Sequence, residues 1–215
     1  MIERILPPEA AWAEAFGDTE TGDLHPREQA GIARAVASRR REFGTGRLCA
    51  RRALRRLGVE PAALEPDDHG APGWPPGVRG SITHCQGYRA CAVVAGDGLS
   101  SIGIDAEPDL PVPRGMLPMV ALPAERRALR ELTAGHPGVC WDRLLFSAKE
   151  AVYKAWYPLT GKLISFEHAE VAFDPGAGTF TVRMLATAPP GRRAPEFGGR
   201  WLAAGGLLLT CAVPL

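Results

Sequence analysis

Two carboxylates on one short segment are the first residues whose type and spacing suggest chemistry. In residues 102–107 apolar and polar side chains alternate, so Asp105 and Glu107 fall on one face of a predicted strand. Their Cα atoms would lie about 6.5–7 Å apart, and Pro108 favours an extended backbone at Glu107. Like charges this close repel unless water or a cation separates them, and oxygen ligands suit Mg²⁺. The segment therefore predicts either a divalent-metal site or a solvated strand end.

A third carboxylate, Glu150, lies on a helix predicted from residue 141 to about residue 157, where Pro158 should end it. The side of this helix that faces the core carries Leu144, Ala148, Ala151, Val152 and Ala155. The opposite side carries rings and lysines around the acid, namely Phe146, Lys149, Tyr153, Lys154 and Tyr157. Because a solvated face rarely surrounds an acid with rings, the pattern predicts a cleft in which Glu150 completes the metal site and lysines hold phosphate oxygens. A simple helical ion pair between Glu150 and Lys154 is the alternative.

Basic residues and a histidine upstream add a possible anion site. Residues 39–56 contain eight arginines and one acid, Glu42. They suit a group of phosphates, or they form an ordinary solvated helical face. His84 ends a short predicted strand, where a lone histidine is either functional or structural. No phosphate-binding glycine loop occurs, so a bound nucleotide would be held by side chains and metal.

Composition limits the class of protein. The chain has 215 residues, 46% of them hydrophobic, and a net charge of +1, which permits one large domain or two small ones and gives no reason to expect nucleic acid. Five cysteines without a Cys-x-x-Cys spacing argue against a disulfide framework or structural zinc. No apolar run has transmembrane length and the N-terminus is no signal peptide, so we expect a cytoplasmic protein without a membrane partner.

The predicted elements intersperse helices and strands without a regular βαβ rhythm, which favours an α+β fold. Helices are predicted over residues 26–43, 47–57, 123–132 and 141–157. Strands are predicted over residues 80–84, 90–95, 101–106, 169–173, 179–185, 200–204 and 207–213. A weak pattern of helix followed by antiparallel strands recurs after a break near residues 96–101.

Taken in order, these segments resemble the 4′-phosphopantetheinyl transferase superfamily. Residues 102–107 match its pattern Ile/Val-Gly-Ile/Val-Asp-x-Glu, and residues 146–154 match Phe/Trp-Ser/Cys-x-Lys-Glu-Ala/Ser-x-x-Lys at every specified position. Residues 80–85 resemble its upstream histidine motif. Residues 40–51 resemble the N-terminal region of the surfactin-type branch, whose enterobactin-synthase-like and actinobacterial members look nearest. The resemblance extends over about residues 39–157.

The resemblance implies a fold of two similar α/β subdomains, related by a pseudo-two-fold axis within one monomeric chain. The first subdomain would span residues 1–98 and the second residues 99–215, with the active site at their interface. The implied reaction transfers 4′-phosphopantetheine from coenzyme A to a serine of an apo acyl or peptidyl carrier protein and releases adenosine 3′,5′-bisphosphate. Such enzymes serve polyketide, non-ribosomal peptide or siderophore biosynthesis.

The resemblance also implies roles for individual residues. Asp105, Glu107 and Glu150 would bind Mg²⁺ and form the catalytic set with Lys154, and Glu150, directly or through water, would take the serine proton. Relatives often have a lysine in the loop before Gly70, where this chain has no lysine, so His69 or Arg79 would make that contact instead. The residues expected to contact coenzyme A are Arg39, Arg40, Arg47, His69, Ser81, Thr83, His84, Lys149 and Lys154.

The carrier protein would need a docking surface. The apolar segment 110–122, from Leu110 to Leu122, is one candidate, and the alternative is a loop packed on the body of the protein. Two other functions remain open on the residues alone. One is a metal-dependent phosphohydrolase or nuclease that uses the same carboxylates, and the other is a non-catalytic module that binds coenzyme A or a nucleotide.

Overall fold

A computed structural model describes residues 1–18, 24–96, 98–185 and 195–215. The helices are α1 (Pro26–Ile32), α2 (Ala37–Arg56), α3 (Leu117–Val120), α4 (Pro123–Gly135) and α5 (Trp141–Thr160). The strands are β1 (Ala11–Phe16), β2 (Val78–Cys85), β3 (Tyr88–Ala95), β4 (Gly103–Pro108), β5 (Ala169–Asp174), β6 (Thr179–Met184), β7 (Phe197–Ala204) and β8 (Leu207–Pro214). None of the helices in these ranges is long and apolar enough to cross a membrane.

Two antiparallel sheets follow one plan. The strand order is β1-β3-β2 in the first sheet and β4-β8-β7-β6-β5 in the second. In each half of the chain, the first strand pairs with the last strand, β1 with β3 and β4 with β8. The α-helices of each half follow its first strand in the sequence. The second half differs by one additional hairpin. The predicted α+β class with two similar halves is confirmed, whereas the boundary at residue 98 stays a prediction, and Asp97 beside it lies outside the described residues.

The alternation predicted for β4 places its two faces against different neighbours. Ile102, Ile104 and Ala106 are fully buried in a core that includes strand β3 of the first half. On the opposite face Gly103 lies against α5, where a Cβ atom would come within 1.9 Å of the Ala151 carbonyl oxygen. Glycine therefore lets the helix rest directly on the strand, and the next residues on that face, Asp105 and Glu107, point toward α5.

The two sheets meet along strands β2 and β4 through side-chain hydroxyls. The Ser81 Oγ accepts a hydrogen bond of 3.1 Å from the Ile104 amide, and the Thr83 Oγ1 accepts one of 2.9 Å from the Ala106 amide. The hydroxyls thus satisfy amides of an edge strand that would otherwise be buried without a partner. This contact brings the end of β2, with His84, next to the carboxylates of β4.

The first long helix differs from its prediction. The sequence predicts a break between residues 43 and 47, but α2 runs without interruption through Gly44 and Gly46, and the chain instead breaks after α1. Both glycines are buried, and a Cβ at Gly46 would lie 3.3 Å from Ile82. Close packing on β2 therefore offsets the helical cost of glycine, about 1 kcal/mol per residue.

Two further differences concern helix α5 and strand β1. The helix passes Pro158, which occupies its last turn, and ends at Thr160 because Gly161 adopts a left-handed conformation with φ of 64°. Strand β1, in which three of the six residues are alanine, has low intrinsic strand propensity and was not predicted. It forms because its whole length pairs with β3.

Candidate active site

Asp105 lies at the centre of the site, between the two halves. Its Oδ1 atom is 2.6 Å from the Lys154 ammonium and 3.2 Å from the Thr83 hydroxyl, which donates to it. The Lys154 ammonium also donates to the Ile104 carbonyl oxygen at 3.2 Å. Among the described residues nothing donates to the Asp105 Oδ2 atom, although it is buried. The Oδ1 atom of Asp105 is therefore held in place by its partners, whereas the Oδ2 atom can accept a ligand.

At the two neighbouring acids, burial outweighs the nearby positive charges and raises the pKa. Burial raises the pKa of Glu107 and Asp105 adds to that rise, although the Arg143 guanidinium, 2.9 Å away, opposes it. Burial also raises the pKa of Glu150, Lys154 opposes the rise and Asp105 adds to it. The site would therefore gain electrostatic energy from an additional cation.

These residues fit a divalent cation only in part. Within the described ranges no three His, Cys, Asp or Glu side chains come together closely enough to hold a metal ion by themselves. However, Mg²⁺ commonly takes one or two carboxylates and completes its shell with water and substrate phosphate. The free, buried Oδ2 of Asp105 and the raised pKa values of Glu107 and Glu150 suit that arrangement. The predicted metal site stays a prediction, and the part of the chain that the structure describes holds no cage of three preformed ligands.

His84, at the end of β2, is part of a second polar cluster. The Nε2 atom of its ring lies 2.9 Å from the Arg39 guanidinium, and the Nδ1 atom lies 3.1 Å from the Glu42 carboxylate. Arg39 also donates to Glu42 at 2.5 Å. The structure thus brings Arg39 and His84 together at the surface, as an anion-binding role for both requires.

A cavity of about 330 Å³ lies between α5 and the loop that precedes β2. Lys154 lines it, and Tyr153 and Tyr157 provide two stacked rings whose centroids are 6.4 Å apart. The other residues of its wall are Asp67, His69, Gly70, Ala71, Pro72, Trp74, Gly80, Ser81, Ile82 and Pro158. His69 lies edge-on to Tyr157 at 5.5 Å between ring centroids, and its predicted contact with coenzyme A stays a prediction.

A second cavity, of about 370 Å³, opens on the other side of Tyr153. Glu150 lines this cavity, and most of its wall is apolar. The remaining residues are Lys149, Leu163, Ile164, Ser165, Phe166 and Ala169. Because Tyr153 lines both cavities while Lys154 lines only the first and Glu150 only the second, the polar residues lie at their junction.

The structure gives Lys149 a structural role, and its predicted contact with coenzyme A stays a prediction. Its ammonium is buried and donates to the Glu125 carboxylate at 2.7 Å and to the carbonyl oxygens of Val120 and Phe166 at 2.9 Å each. An ammonium has three protons, and all three are used. Lys149 therefore stabilises the junction of α3, α4 and α5 with the wall of the second cavity.

Two arginines that were predicted to contact coenzyme A, Arg47 and Arg40, lie apart from the cluster around His84. Arg47 is buried, its guanidinium 4.3 Å from the centre of the Phe43 ring and 3.8 Å from Glu28. Burial lowers the pKa of Arg47, and Glu28 opposes that shift. Arg40 lines a separate surface cavity instead of the cluster around His84.

Ser81 and Thr83 were also expected to contact coenzyme A through their side chains. Their hydroxyls are buried and committed to β4, so a ligand does not reach them without breaking that junction. Ser81 nevertheless forms part of the wall of the first cavity. Their position in the motif is explained by the way they join the two halves.

Three residues with evident roles in the site's architecture escaped prediction. Tyr157 donates to the Asp67 carboxylate at 2.8 Å across the first cavity, and this bond links the two halves. Arg143 contacts Glu107 and also donates to the carbonyl oxygens of residues 110 and 111. Glu42 holds both Arg39 and His84, and its isolation among eight arginines was the available signal.

Comparison with known families decides what this arrangement belongs to. Residues 27–95 match the model of the 4′-phosphopantetheinyl transferase N-terminal domain, and residues 101–198 match that of the 4′-phosphopantetheinyl transferase superfamily. The chain belongs to the 4′-phosphopantetheinyl transferase superfamily. The two matches fall on the two halves of the fold, and the second includes all three predicted metal-binding carboxylates.

Individual relatives agree with this membership. The 4′-phosphopantetheinyl transferase Svp of Streptomyces mobaraensis is 54% identical, over 98% of this chain and 87% of its own length. The 4′-phosphopantetheinyl transferase PptT of Mycobacterium tuberculosis is 42% identical, over 99% of this chain and 97% of its own. Enterobactin synthase component D of Salmonella typhi is 35% identical over 57% of this chain and 50% of its own. The chain is therefore a transferase of this superfamily, and the predicted enzyme class is confirmed.

Proposed function

We propose that the enzyme transfers 4′-phosphopantetheine from coenzyme A to a serine of an apo acyl or peptidyl carrier protein in a Mg²⁺-dependent reaction. The product left behind would be adenosine 3′,5′-bisphosphate. The observation that carries this proposal is the pair of cavities on either side of Tyr153, with Lys154, Asp105 and Glu150 at their junction. A ligand with a nucleotide at one end, a long arm at the other and a pyrophosphate between them matches that layout.

The walls of the two cavities suit the two ends of coenzyme A. The first cavity offers the rings of Tyr153, Tyr157 and His69, which suit an adenine, and the cluster of Arg39 and His84 lies near the same junction of halves and suits phosphate. The second cavity is mostly apolar and suits the pantetheine arm. The scissile pyrophosphate would then lie beside Lys154.

The residues at the junction of the two cavities would have separate roles in the reaction. Lys154, fixed by Asp105, would neutralise charge on the pyrophosphate in a position set before the substrate arrives. Asp105, Glu107 and Glu150 would hold Mg²⁺ together with substrate phosphate. When bound, Mg²⁺ supplies Lewis-acid stabilisation of the charge that develops on the departing phosphate.

Glu150 is also our candidate for the group that receives the serine proton. Glu150 lines the second cavity beside Tyr153, and burial is the largest influence on its carboxylate. Because burial raises the pKa of Glu150, its carboxylate is more basic than an ordinary one. A carboxylate poised in this way can accept a proton directly or through one water.

The carrier protein would dock on segment 110–122. Leu110 and Met119 are 62% and 78% exposed, while Val120 is buried and anchors the segment. Arg143 ties residues 110 and 111 to Glu107, so the surface is connected to the carboxylates. We further propose a monomeric enzyme, since both halves of the site belong to one chain, and its cytoplasmic location stays a prediction from the sequence.

Mass spectrometry of apo carrier proteins tests the proposal. A panel of acyl, polyketide and peptidyl carriers is incubated with the enzyme, coenzyme A and Mg²⁺, and each is expected to gain one phosphopantetheine or none. EDTA should stop the reaction and added Mg²⁺ should restore it. A carrier whose acceptor serine is replaced by alanine is the control. Failure to modify any carrier, or modification that is unchanged by EDTA, would contradict the proposal.

The docking surface is tested separately. Met119→Asp should raise the KM for the carrier protein but leave the KM for coenzyme A unchanged, because it alters only the exposed edge of the segment. Phe16→Asp is the matched control, since Phe16 is also exposed but lies in strand β1 of the other sheet. Equal carrier kinetics in both variants would rule out this surface.

A further inference from the structure

The hydrogen bonds of His84 determine which of its ring nitrogens carries the proton. An arginine can only donate, so the Nε2 atom, 2.9 Å from Arg39, is an acceptor. The ring proton must then lie on Nδ1, which is 3.1 Å from the Glu42 carboxylate and donates to it. Glu42 therefore selects the tautomer of His84 and the direction in which Nε2 faces.

Glu42 is held in place by two arginines. It accepts from Arg39 at 2.5 Å, and the Arg89 guanidinium lies 3.7 Å away. Arg89 is buried and is fixed by the Asp18 carboxylate at 2.9 Å and by the Tyr88 carbonyl oxygen at 2.9 Å. The Glu42 carboxylate therefore lies beside a fixed arginine of strand β3, and its contact with the Nδ1 atom fixes the orientation of the His84 ring.

We propose that Glu42 is a positioning residue of the coenzyme A site, which aims the Nε2 atom of His84 at a phosphate group of the ligand. This inference rests on the proposed function. In the free enzyme Arg39 occupies the Nε2 atom. When phosphate binds, the guanidinium of Arg39 moves to the phosphate. The Nε2 atom of His84 is then free to donate a hydrogen bond to the same phosphate.

This exchange requires one proton. Burial lowers the pKa of His84; Glu42 opposes that shift, while the positive charges of Arg39, Lys154 and Arg89 strengthen it. These groups come from α2, α5 and β3, and the carboxylates of β4 lie beside the end of β2 that carries the ring. The imidazole is thus neutral near pH 7, and Nε2 can donate to phosphate only after it takes a proton from solvent. The resulting imidazolium lies between two anions, Glu42 and the phosphate.

The sign of the pH dependence follows from this order of events. A ligand that binds the protonated form raises the pKa of His84 in the complex, so binding takes up protons between the pKa values of the free and bound enzyme. Coenzyme A affinity should accordingly fall as the pH rises through that interval. Without the negative charge of Glu42, the imidazolium loses one of its two anionic partners. The pH dependence of coenzyme A affinity should then weaken.

Glu42→Gln is the decisive variant, because glutamine can still accept from Nδ1 but carries no charge. The KM for coenzyme A should rise by about tenfold, the effect of one charge-assisted hydrogen bond, while kcat changes little. Isothermal titration of coenzyme A in two buffers of different ionisation enthalpy should show proton uptake by the wild-type enzyme and less by the variant. Glu170→Gln, which removes a surface partner of Arg183, is the control and should retain wild-type values.

A double-mutant cycle separates positioning from general stability. If Glu42 acts through His84, Glu42→Gln should add almost nothing to the KM of a His84→Asn enzyme. Additive effects, or a wild-type KM and proton count in Glu42→Gln, would overturn the proposal. Should the variants fail to fold, ¹⁵N spectra of wild-type His84 provide the test: protonation on Nε2 in the free enzyme would overturn it.

These outcomes are distinct from failure of the proposed function. Wild-type modification of a carrier protein is measured first. If it is absent, the transferase proposal fails. If it is present and the Glu42 variants behave as wild type, only the positioning role is refuted.

Discussion

Replacement of Gly103 by alanine tests how tightly the site depends on the contact between β4 and α5. The new Cβ would lie 1.9 Å from the Ala151 carbonyl oxygen and 2.7 Å from the Ala155 amide nitrogen. Real Cβ contacts essentially never fall below 3.0 Å, so helix and strand must separate by at least 1.1 Å, from 1.9 to 3.0 Å. The obstacle is helix backbone, which cannot move aside as the end of a flexible side chain can.

The separation should affect both stability and activity. Overpacking of this kind costs about 1–3 kcal/mol, and backbone contact places Gly103→Ala near the upper limit. For a chain of this size, 3 kcal/mol corresponds to a fall in Tm of roughly 6–12 °C. The bond of 2.6 Å between Lys154 and Asp105 spans the same interface, and an added 1 Å would break it. We therefore expect kcat to fall by about 10²-fold as Lys154 loses its position.

Thermal denaturation and carrier modification measure the two effects. Gly31→Ala is the matched control, because Gly31 lies in α1, has no atom within 4 Å of an added Cβ and should be neutral or slightly stabilised. A Gly103→Ala enzyme with the Tm and kcat of the control would refute the account of how α5 rests on β4. A lower Tm with full kcat would refute only the link to Lys154.

The remaining predictions concern the two lysines of α5 and the bond across the first cavity. Lys149→Met should lower the free energy of unfolding by about 3–5 kcal/mol, since Glu125 is left buried without a partner, and Mg²⁺ should not restore it. Lys154→Met should reduce kcat by roughly 10²–10³-fold. The variant should also be less stable in thermal denaturation, and Mg²⁺ should partly restore its stability because a cation can replace the ammonium beside Asp105. The reverse pattern would exchange the structural and functional roles of the lysines. Tyr157→Phe removes the donor to the carboxylate on the opposite wall and should weaken coenzyme A binding in calorimetry without changing kcat; unchanged affinity would contradict the role of that bond.

Periodicity predicted the elements that carry the site because it depends only on local geometry. The alternation in β4 correctly separated Ile104 from Asp105, and the helical wheel of α5 correctly assigned the core stripe with Ala148, Ala151 and Val152. In both elements one face packs against a large core, so the pattern of side chains is strongly constrained.

The same reasoning could not separate Lys149 from Lys154. A wheel gives the direction of a side chain but not what covers it. Lys149 is covered by α3, α4 and the segment near Phe166, all distant in the sequence, whereas Lys154 faces β4 and the first cavity. The burial of Arg47 escaped prediction for the same reason, because its partner Glu28 belongs to another helix.

The continuity of α2 was missed because local propensity and tertiary packing conflict there. Glycine at residues 44 and 46 weakens an isolated helix, yet the contact of Gly46 with Ile82 requires a small residue. Family resemblance, by contrast, pointed to three carboxylates, whose predicted role stays a prediction, and it assigned Ser81 and Thr83 to the ligand. In the structure their hydroxyls join the sheets, so a motif position can be kept for architecture as well as for binding.

The central claim is that Asp105 anchors the chemistry of carrier modification, and Asp105→Ala tests it most directly. The variant is compared with wild type by intact-mass analysis of an apo carrier protein incubated with coenzyme A and Mg²⁺, and circular dichroism verifies its fold. The account predicts a folded enzyme whose rate of modification falls by roughly 10²–10³-fold or more. A folded Asp105→Ala enzyme that modifies the carrier at the wild-type rate would contradict the account.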